Sequence, residues 1–253
     1  STLLHLGPGL ANGLSNILNA RRASSGMVNI VGEHSSTHLK HDPPLTSDIE
    51  GLARPLSHWV RRADSAASIA WDAAQAVQMA GSHPGRIATL ILPGDTAWQA
   101  IGEAPMLPVP SADAAKAPSA ERIAHVARVL RSGEPTLVIM AGQATRGLAL
   151  ERAGRVAAAT GARLGSQFFT ARIERGANRV PLERIPYAVA QATAFLKPYK
   201  HIVTVETSEP VAFFAYPDKP SLLKTEGTLV HPLVEADEDS EMAFEMLLDE
   251  LGV

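Results

Sequence analysis

A histidine and a glycine-rich turn near the amino terminus are the first residues in the chain that could do chemistry. His5 stands two residues before Gly7, and the run Gly7-Pro8-Gly9 is soon followed by Asn12. Apolar residues before this run and helical spacing after it predict a strand, a turn and a helix. A helix that begins there would aim free N–H groups and its positive dipole end at the carboxyl edge of the strand, where ligands bind.

Two interpretations of this turn stay open on the residues alone. The stretch GPGLANG nearly fits the dinucleotide fingerprint G-x-G-x-x-G, with Asn12 at the place of the third glycine. Its only further support is Glu33, which follows a second apolar run in VNIVGEH. The alternative is a tight strand-to-helix turn that holds no ligand.

Three histidines follow the second apolar run with a spacing of four and three residues, namely His34, His38 and His41. On a helix they would share one face and could bind zinc or copper. The segment also carries Ser-Ser-Thr and Pro43-Pro44, which indicate a loop. We therefore predict a solvated loop near the mouth of an active centre, and no metal site.

Apolar runs alternate with amphipathic segments along the whole chain. This alternation predicts an α/β fold with two three-layer units, each a mostly parallel sheet flanked by helices. The predicted strands include Met27–Val31, 56–60, 87–92, Thr136–Met140 and His201–Val205. Residues 97–118 are rich in proline and alanine and lack periodicity, so they are predicted to be a linker between domains 1–96 and 119–253.

Three features of the second half have both a functional and a structural interpretation. The turn from Gly142 to Gly147 could hold a phosphate, but it lacks the lysine of a P-loop, which favours a plain turn. Interspersed glutamates favour a paired surface segment over an anion clamp for four arginines, namely Arg172, Arg175, Arg179 and Arg184. Core packing is expected, rather than contact with a cofactor, for the aromatic residues Phe213, Phe214 and Tyr216.

Composition limits the classes of function. The chain has 253 residues, a formal net charge of −3, 45% hydrophobic residues and no cysteine. This charge argues against nucleic-acid binding, and no apolar run is long enough to cross a bilayer. The absence of cysteine excludes disulfides and is compatible with a reducing cytoplasm. Because the chain begins at Ser1, without methionine and already inside an apolar segment, we expect a part that precedes it.

The order and spacing of several motifs resemble one enzyme family over nearly the whole chain. These motifs are GPG followed by A-N, SNILNARR, MVNIVGEH, LTSDIEGLARPLSHWVRRA, ATLILPGD, GARLGSQFFTARIERGANRVPLERIPY and VAFFAYPDKPS. They resemble the pyrimidine-binding and central domains of thiamine diphosphate-dependent enzymes. The similarity is greatest to the acetolactate synthase-like branch, with benzoylformate decarboxylase more distant. The resemblance implies that residues 1–96 are the C-terminal part of the pyrimidine-binding domain and 119–253 the central domain.

The resemblance also implies roles for individual residues. Gly7, Pro8 and Gly9 match the turn near the cofactor, and Asn12 matches an asparagine that contacts the cofactor region. His5 lies close to the place of an active-site histidine in benzoylformate decarboxylase, while a satisfied histidine at a strand end is the alternative. Pro44-Leu45 replaces the Phe-Gln of acetolactate synthases, which favours a different 2-oxo acid as substrate.

The resemblance further implies thiamine diphosphate and Mg²⁺ as cofactors. The Gly-Asp-Gly…Asn motif that anchors the diphosphate and the metal does not occur in the chain, because GDTAW at Gly94 continues differently. We therefore expect the anchor, and the family's catalytic glutamate, to lie outside these residues. FAD is doubtful, because the central domain shows no firm flavin motif.

The expected protein is a 2-oxo acid decarboxylase or carboligase that works as a homodimer or homotetramer in the cytoplasm, without nucleic-acid or membrane partners. By itself the present chain is expected to be inactive. The alternatives are a nicotinamide-dependent oxidoreductase and a nucleotide-binding regulatory or structural module.

Overall fold

The computed structural model describes residues 1–102 and 107–253, which form two compact units, Ser1–Ala115 and Lys116–Val253. The division between the units lies inside the segment 97–118, for which the sequence predicts a linker. Four residues of that segment, 103–106, lie outside the described residues. The assignment of the units to a pyrimidine-binding and a central domain stays a prediction.

The first unit is a parallel four-stranded sheet with strand order β1-β2-β4-β3. Its elements are β1 Thr2–His5, α1 Leu6–Arg22, β2 Met27–Glu33, α2 Ile49–Ala53, β3 Trp59–Arg62, α3 Ile69–Gly81 and β4 Ile87–Pro93, with short 3₁₀ helices at Leu39–His41 and Gly94–Ala97. Since all four strands are parallel, their carboxyl ends meet at one edge. The strand predicted at 56–60 lies two to three residues too early, since β3 runs from Trp59 to Arg62.

Residues from the helices and the central strands build the core of the first unit. Leu10 and Ile17 of α1 pack with Val31, Ile87 and Ile91 of the two middle strands. These apolar positions of α1 are seven residues apart, the spacing of one buried helical face.

The junction between β1 and α1 differs from the prediction. The helix begins at Leu6, so Gly7, Pro8 and Gly9 form its first turn instead of a separate turn before it. Leu6 has a φ of 54°, a left-handed conformation that is strained for a branched side chain. A side chain at Gly7 would place its Cβ 1.8 Å from Ser47 Oγ, so this position needs glycine because of close packing.

The second unit is a parallel five-stranded sheet with strand order β7-β6-β5-β8-β9. Its elements are α4 Ala120–Arg131, β5 Thr136–Met140, α5 Gly147–Thr160, β6 Arg163–Ser166, β7 Glu183–Arg184, α6 Val189–Leu196, β8 His201–Val205, β9 Leu229–Val234 and α7 Ser240–Leu251. Two apolar clusters line this unit, one around Phe244 and Met140 and the other around Leu196 and Ile139. The predicted α/β class with parallel sheets flanked by helices is confirmed in both units.

The expectation about the packing of three aromatic residues was wrong. Phe213, Phe214 and Tyr216 are not core residues, since they are 57%, 56% and 43% exposed. Asp113, within the predicted linker 97–118, is bonded to other residues of the first unit, and the linker itself stays a prediction. The N–H of His83 donates to Asp113 O (2.9 Å), and Asp113 also pairs with Arg86. Among the described residues, no helix has the length and apolarity that a membrane span requires.

Candidate functional site

A cavity of about 600 Å³ lies at the carboxyl edge of the first unit's sheet. His5 ends β1, Glu33 ends β2, and Gly94 directly follows β4, so three neighbouring strands contribute to its lining. His34 and His38 come from the loop after β2. The carboxyl edge of a parallel sheet is where α/β proteins bind ligands, and the cavity is therefore the candidate site.

Two features of the backbone position His5. In the parallel register His5 lies opposite Gly32, which also lines the cavity. A Cβ at Gly9 would lie 3.3 Å from both His5 Cβ and the carbonyl carbon of Leu4. Glycine at this position lets the first turn of α1 approach the end of β1 closely.

The structure does not bring all of the predicted site residues together. His5 lines the cavity, whereas Gly7 is buried beside Ser47, and neither Pro8 nor Gly9 is a lining residue. Asn12 is exposed in the second turn of α1 and does not line the cavity either. The cofactor-binding roles of these four residues stay predictions.

An ion-pair network that motif analysis did not single out includes one residue of the cavity lining, Glu33. Arg62 of β3 pairs with Glu33 Oε2 and also, at 3.4 Å, with Glu50 Oε1. The Glu33 side chain is only 1% exposed. The sequence signal was a glutamate at the end of an apolar strand, which was used only as support for a dinucleotide fingerprint.

A clip between two chain segments fixes the histidine loop. Asp95 Oδ1 accepts the N–H of Ser36 at 2.8 Å, and Asp95 Oδ2 accepts the Ser36 hydroxyl at 2.6 Å. These hydrogen bonds lower the pKa of the Asp95 carboxyl, and the bond from the Ser36 hydroxyl has the larger effect. The clip ties the loop after β2 to the end of β4, and thereby places His34 and His38 at the cavity.

The three loop histidines are neighbours without forming a metal centre. The ring centroids of His34 and His38 are 6.1 Å apart, and those of His38 and His41 are 5.8 Å apart. Within residues 1–102 and 107–253 no group of three or more histidine, aspartate or glutamate side chains is arranged to hold a metal ion.

In the second unit, an internal carboxylate occupies the turn that could have held a phosphate. Glu206, directly after β8, accepts the N–H groups of Gln143 and Ala144 at 2.9 and 3.0 Å. It also accepts the hydroxyl of Ser240. The plain-turn interpretation of Gly142–Gly147 agrees with this arrangement, because the donors of the turn are used within the chain.

The described residues fit only part of thiamine diphosphate. Glu33 and His34 line the cavity, and each has a buried polar atom without a hydrogen-bond partner among the described residues. A polar ring bound in the cavity can form hydrogen bonds with such atoms. The diphosphate is the part that these residues do not fit, since neither the sequence motif for its metal nor a described metal-binding group is present.

Comparisons with known proteins support the resemblance. No family model matches the chain. A Mycobacterium tuberculosis protein, named provisionally as the acetolactate synthase large subunit IlvX, is 48% identical over 236 residues. The match covers 93% of this chain and 45% of that protein, so the chain spans about half the length of the curated relative it matches.

Three solved structures share the fold at low sequence identity. Benzoylformate decarboxylase from Polynucleobacter necessarius has a TM-score of 0.78 at 18% identity, over 98% of this chain and 49% of that one. A 4-hydroxybenzoylformate decarboxylase from Rhodococcus jostii gives 0.75 at 18%, over 99% and 50%. An enzyme from Mycobacterium smegmatis, provisionally described as thiamin diphosphate-dependent, gives 0.76 at 20%, over 98% and 50%. The resemblance of this chain to the acetolactate synthase-like branch of the thiamine diphosphate-dependent enzymes is thereby confirmed, over about half the length of those relatives.

Proposed function

We propose that the chain is part of a thiamine diphosphate-dependent 2-oxo acid decarboxylase or carboligase. The observation that carries the proposal is the cavity at the carboxyl edge of the first unit's sheet, with His5 in its lining. In this proposal the first unit is the C-terminal part of the pyrimidine-binding domain, and the second unit is the central domain. When bound, the cofactor supplies the electron sink for cleaving or forming the bond next to the carbonyl group.

The residues of the chain bind and orient in this scheme. The imidazole of His5 can give a proton to a substrate or take one from it, because its ring nitrogens can each act as hydrogen-bond donor or acceptor. The side chains of Leu45 and Trp98 also line the cavity and offer apolar contacts to a bound substrate. His34 and His38 add N–H groups that can hold a substrate carboxylate.

The proposal includes features that lie outside the described residues. The diphosphate and Mg²⁺ would be held by a further domain, and a second copy of the protein would complete the site, as a homodimer or homotetramer. We propose the cytoplasm as its compartment, which the lack of cysteine supports. FAD is not part of the proposal, because Glu206 already uses the backbone donors of the turn after β5.

Turnover of 2-oxo acids by the longest polypeptide that the gene encodes tests the proposal. The assay contains thiamine diphosphate and Mg²⁺ and compares His5→Ala with the control His41→Ala, since His41 belongs to the histidine loop after β2 but does not line the cavity. We expect the His5 variant to lose about a hundredfold or more in kcat and the His41 variant to be unchanged. Absence of cofactor-dependent turnover in a polypeptide that contains the missing parts would overturn the proposal. Thermal shifts with NAD, FAD and ADP test the oxidoreductase and nucleotide-binding alternatives in parallel.

A further inference from the structure

Two buried polar atoms at the cavity have no hydrogen-bond partner among the described residues, Glu33 Oε1 and His34 Nε2. Both residues line the cavity, and the Glu33 side chain is only 1% exposed. Buried polar atoms in proteins almost always have a partner, and leaving one unpaired is costly. An unpaired carboxylate oxygen in a cavity therefore points to a ligand that donates a hydrogen bond there.

The charges around the cavity indicate which chemical groups that ligand carries. Arg62 holds Glu33 through Oε2, so Oε1 is left as an acceptor. A ligand carboxylate beside Oε1 would be repelled, because like charges at close range raise the energy of both. His5 and His38 line the same cavity and can offer N–H groups to a carboxylate. The matching ligand has an anionic group and, separately, a hydrogen-bond donor.

We propose that Glu33 is a substrate-specificity residue, whose Oε1 accepts a hydrogen bond from the hydroxyl group of a hydroxylated 2-oxo acid. This inference rests on the proposed function, since it takes a 2-oxo acid as the substrate. A site that is built to bind a hydroxyl group rejects the analogue with a methyl group there, because the buried acceptor is then left unpaired. Arg62 is a positioning residue, because it fixes the carboxylate without lining the cavity.

Glu50 provides a matched control for Glu33. It pairs with the same guanidinium, Arg62, but does not line the cavity. Loss of either glutamate removes one partner of Arg62 and leaves the other. A change in ligand preference that is seen for Glu33 and not for Glu50 therefore reports contact with the ligand and not a general effect on Arg62.

The test measures binding of 3-hydroxypyruvate and 2-oxobutyrate, which differ by a hydroxyl against a methyl group. Both are titrated without thiamine diphosphate into the wild-type chain, Glu33→Leu and Glu50→Leu, with detection by two-dimensional NMR at concentrations up to about 20 mM. We expect the wild type and Glu50→Leu to bind 3-hydroxypyruvate about tenfold or more tightly than 2-oxobutyrate. In Glu33→Leu the two affinities should become equal. If Glu33→Leu does not fold, Glu33→Gln replaces it and should weaken 3-hydroxypyruvate binding alone, at least threefold.

Equal affinities in the wild type, binding of neither compound, or a preference that survives the change of Glu33 would each overturn the inference. None of these results bears on cofactor-dependent turnover, which is measured separately. A protein that turns over pyruvate with thiamine diphosphate but shows no hydroxyl preference would keep the proposed function and lose this inference.

Discussion

The rings of His201 and His231 are joined by a hydrogen bond across β8 and β9, with 3.0 Å between His201 Nδ1 and His231 Nε2. The chain of hydrogen bonds continues from His231 Nδ1 to His125 Nε2 (2.9 Å) and from His201 Nε2 to Glu134 Oε2 (2.9 Å). If Glu134 accepts at one end, each neutral ring can donate through Nε2 and accept through Nδ1. All the bonds are then satisfied without any imidazole being charged.

Stability should therefore fall in mild acid. Burial, and then repulsion from His125 and His201, lowers the pKa of His231 to about 4. Because the folded-state pKa lies below the unfolded value of about 6.5, the unfolded chain binds more protons between these values. The stabilisation is present above pH 6.5 and is lost as the pH falls towards 4. After allowance for solvent screening, we expect a loss of about 2 kcal/mol in urea denaturation.

Variants can assign this pH dependence to the histidine chain. His231→Gln should show a flatter stability profile between pH 6.5 and 4 than the wild type, whereas the loop variant His41→Gln should reproduce the wild-type profile. His58 contributes a smaller effect of the same sign, because burial and then Arg21 and Arg86 lower its pKa. An unchanged slope in His231→Gln would contradict the assignment.

Replacing Glu206 should destabilise the second unit. In Glu206→Ala the N–H groups of Gln143 and Ala144 lose their acceptor, and we expect the free energy of unfolding to fall by about 2 kcal/mol. Glu174→Ala is the matched control, because Glu174 accepts a single backbone N–H, that of Gly147 at 2.7 Å, beside an exposed ion pair with Arg179. It should lose less than about 1 kcal/mol. Equal losses in the two variants, measured by chemical denaturation, would argue against a special role for Glu206.

Limited proteolysis should cut first in the segment between Ala97 and Ser119, where the sequence has no apolar periodicity. The structure narrows this prediction to the part before residue 111, because Asp113 is tied to His83, Ser82 and Arg86. A protease of low specificity, followed by mass spectrometry of the first fragments, is the measurement. First cuts inside β4 or β5 would contradict the boundary between the units.

The sequence predicted the elements well where apolar periodicity is strong. Thr136–Met140 and His201–Val205 are strands with the predicted bounds, because five consecutive buried residues can hardly be anything else in an α/β protein. The start of α1 was missed by about four residues, since Pro8 fits a first helical turn as well as it fits a turn before a helix. The exposed aromatic residues Phe213 and Phe214 were missed because residue type alone does not show which side of a segment faces the core.

Much of the candidate site was less visible in the sequence. His5 and the histidine loop were found because their signals are local: His5 lies two residues before Gly7, and the loop histidines are four and three residues apart. Glu33 with Arg62 and Asp95 with Ser36 are pairs 29 and 59 residues apart, so only the order of strands in the sheet brings them together. No single-sequence pattern encodes such a pairing.

Asn12→Ala separates a structural from a functional role for this asparagine. The residue is exposed on α1, so its replacement should change the free energy of unfolding by no more than about 0.5 kcal/mol. If Asn12 contacts the cofactor in the complete protein, turnover should fall ten- to a thousandfold. Unfolding of the variant would show that the residue is structural. Unchanged turnover would remove Asn12 from the site.

The chain by itself should bind thiamine diphosphate only weakly. The diphosphate carries most of the cofactor's charge, and a divalent cation with its protein ligands normally neutralises it. Within residues 1–102 and 107–253 the structure offers one cavity wall for a ring and no group of side chains arranged to hold that cation. Isothermal titration with Mg²⁺ present should therefore give a dissociation constant no better than about 1 mM, or about −4 kcal/mol. Micromolar binding would place the complete cofactor site within this chain, and the division into a pyrimidine-binding part and a central domain would then be wrong.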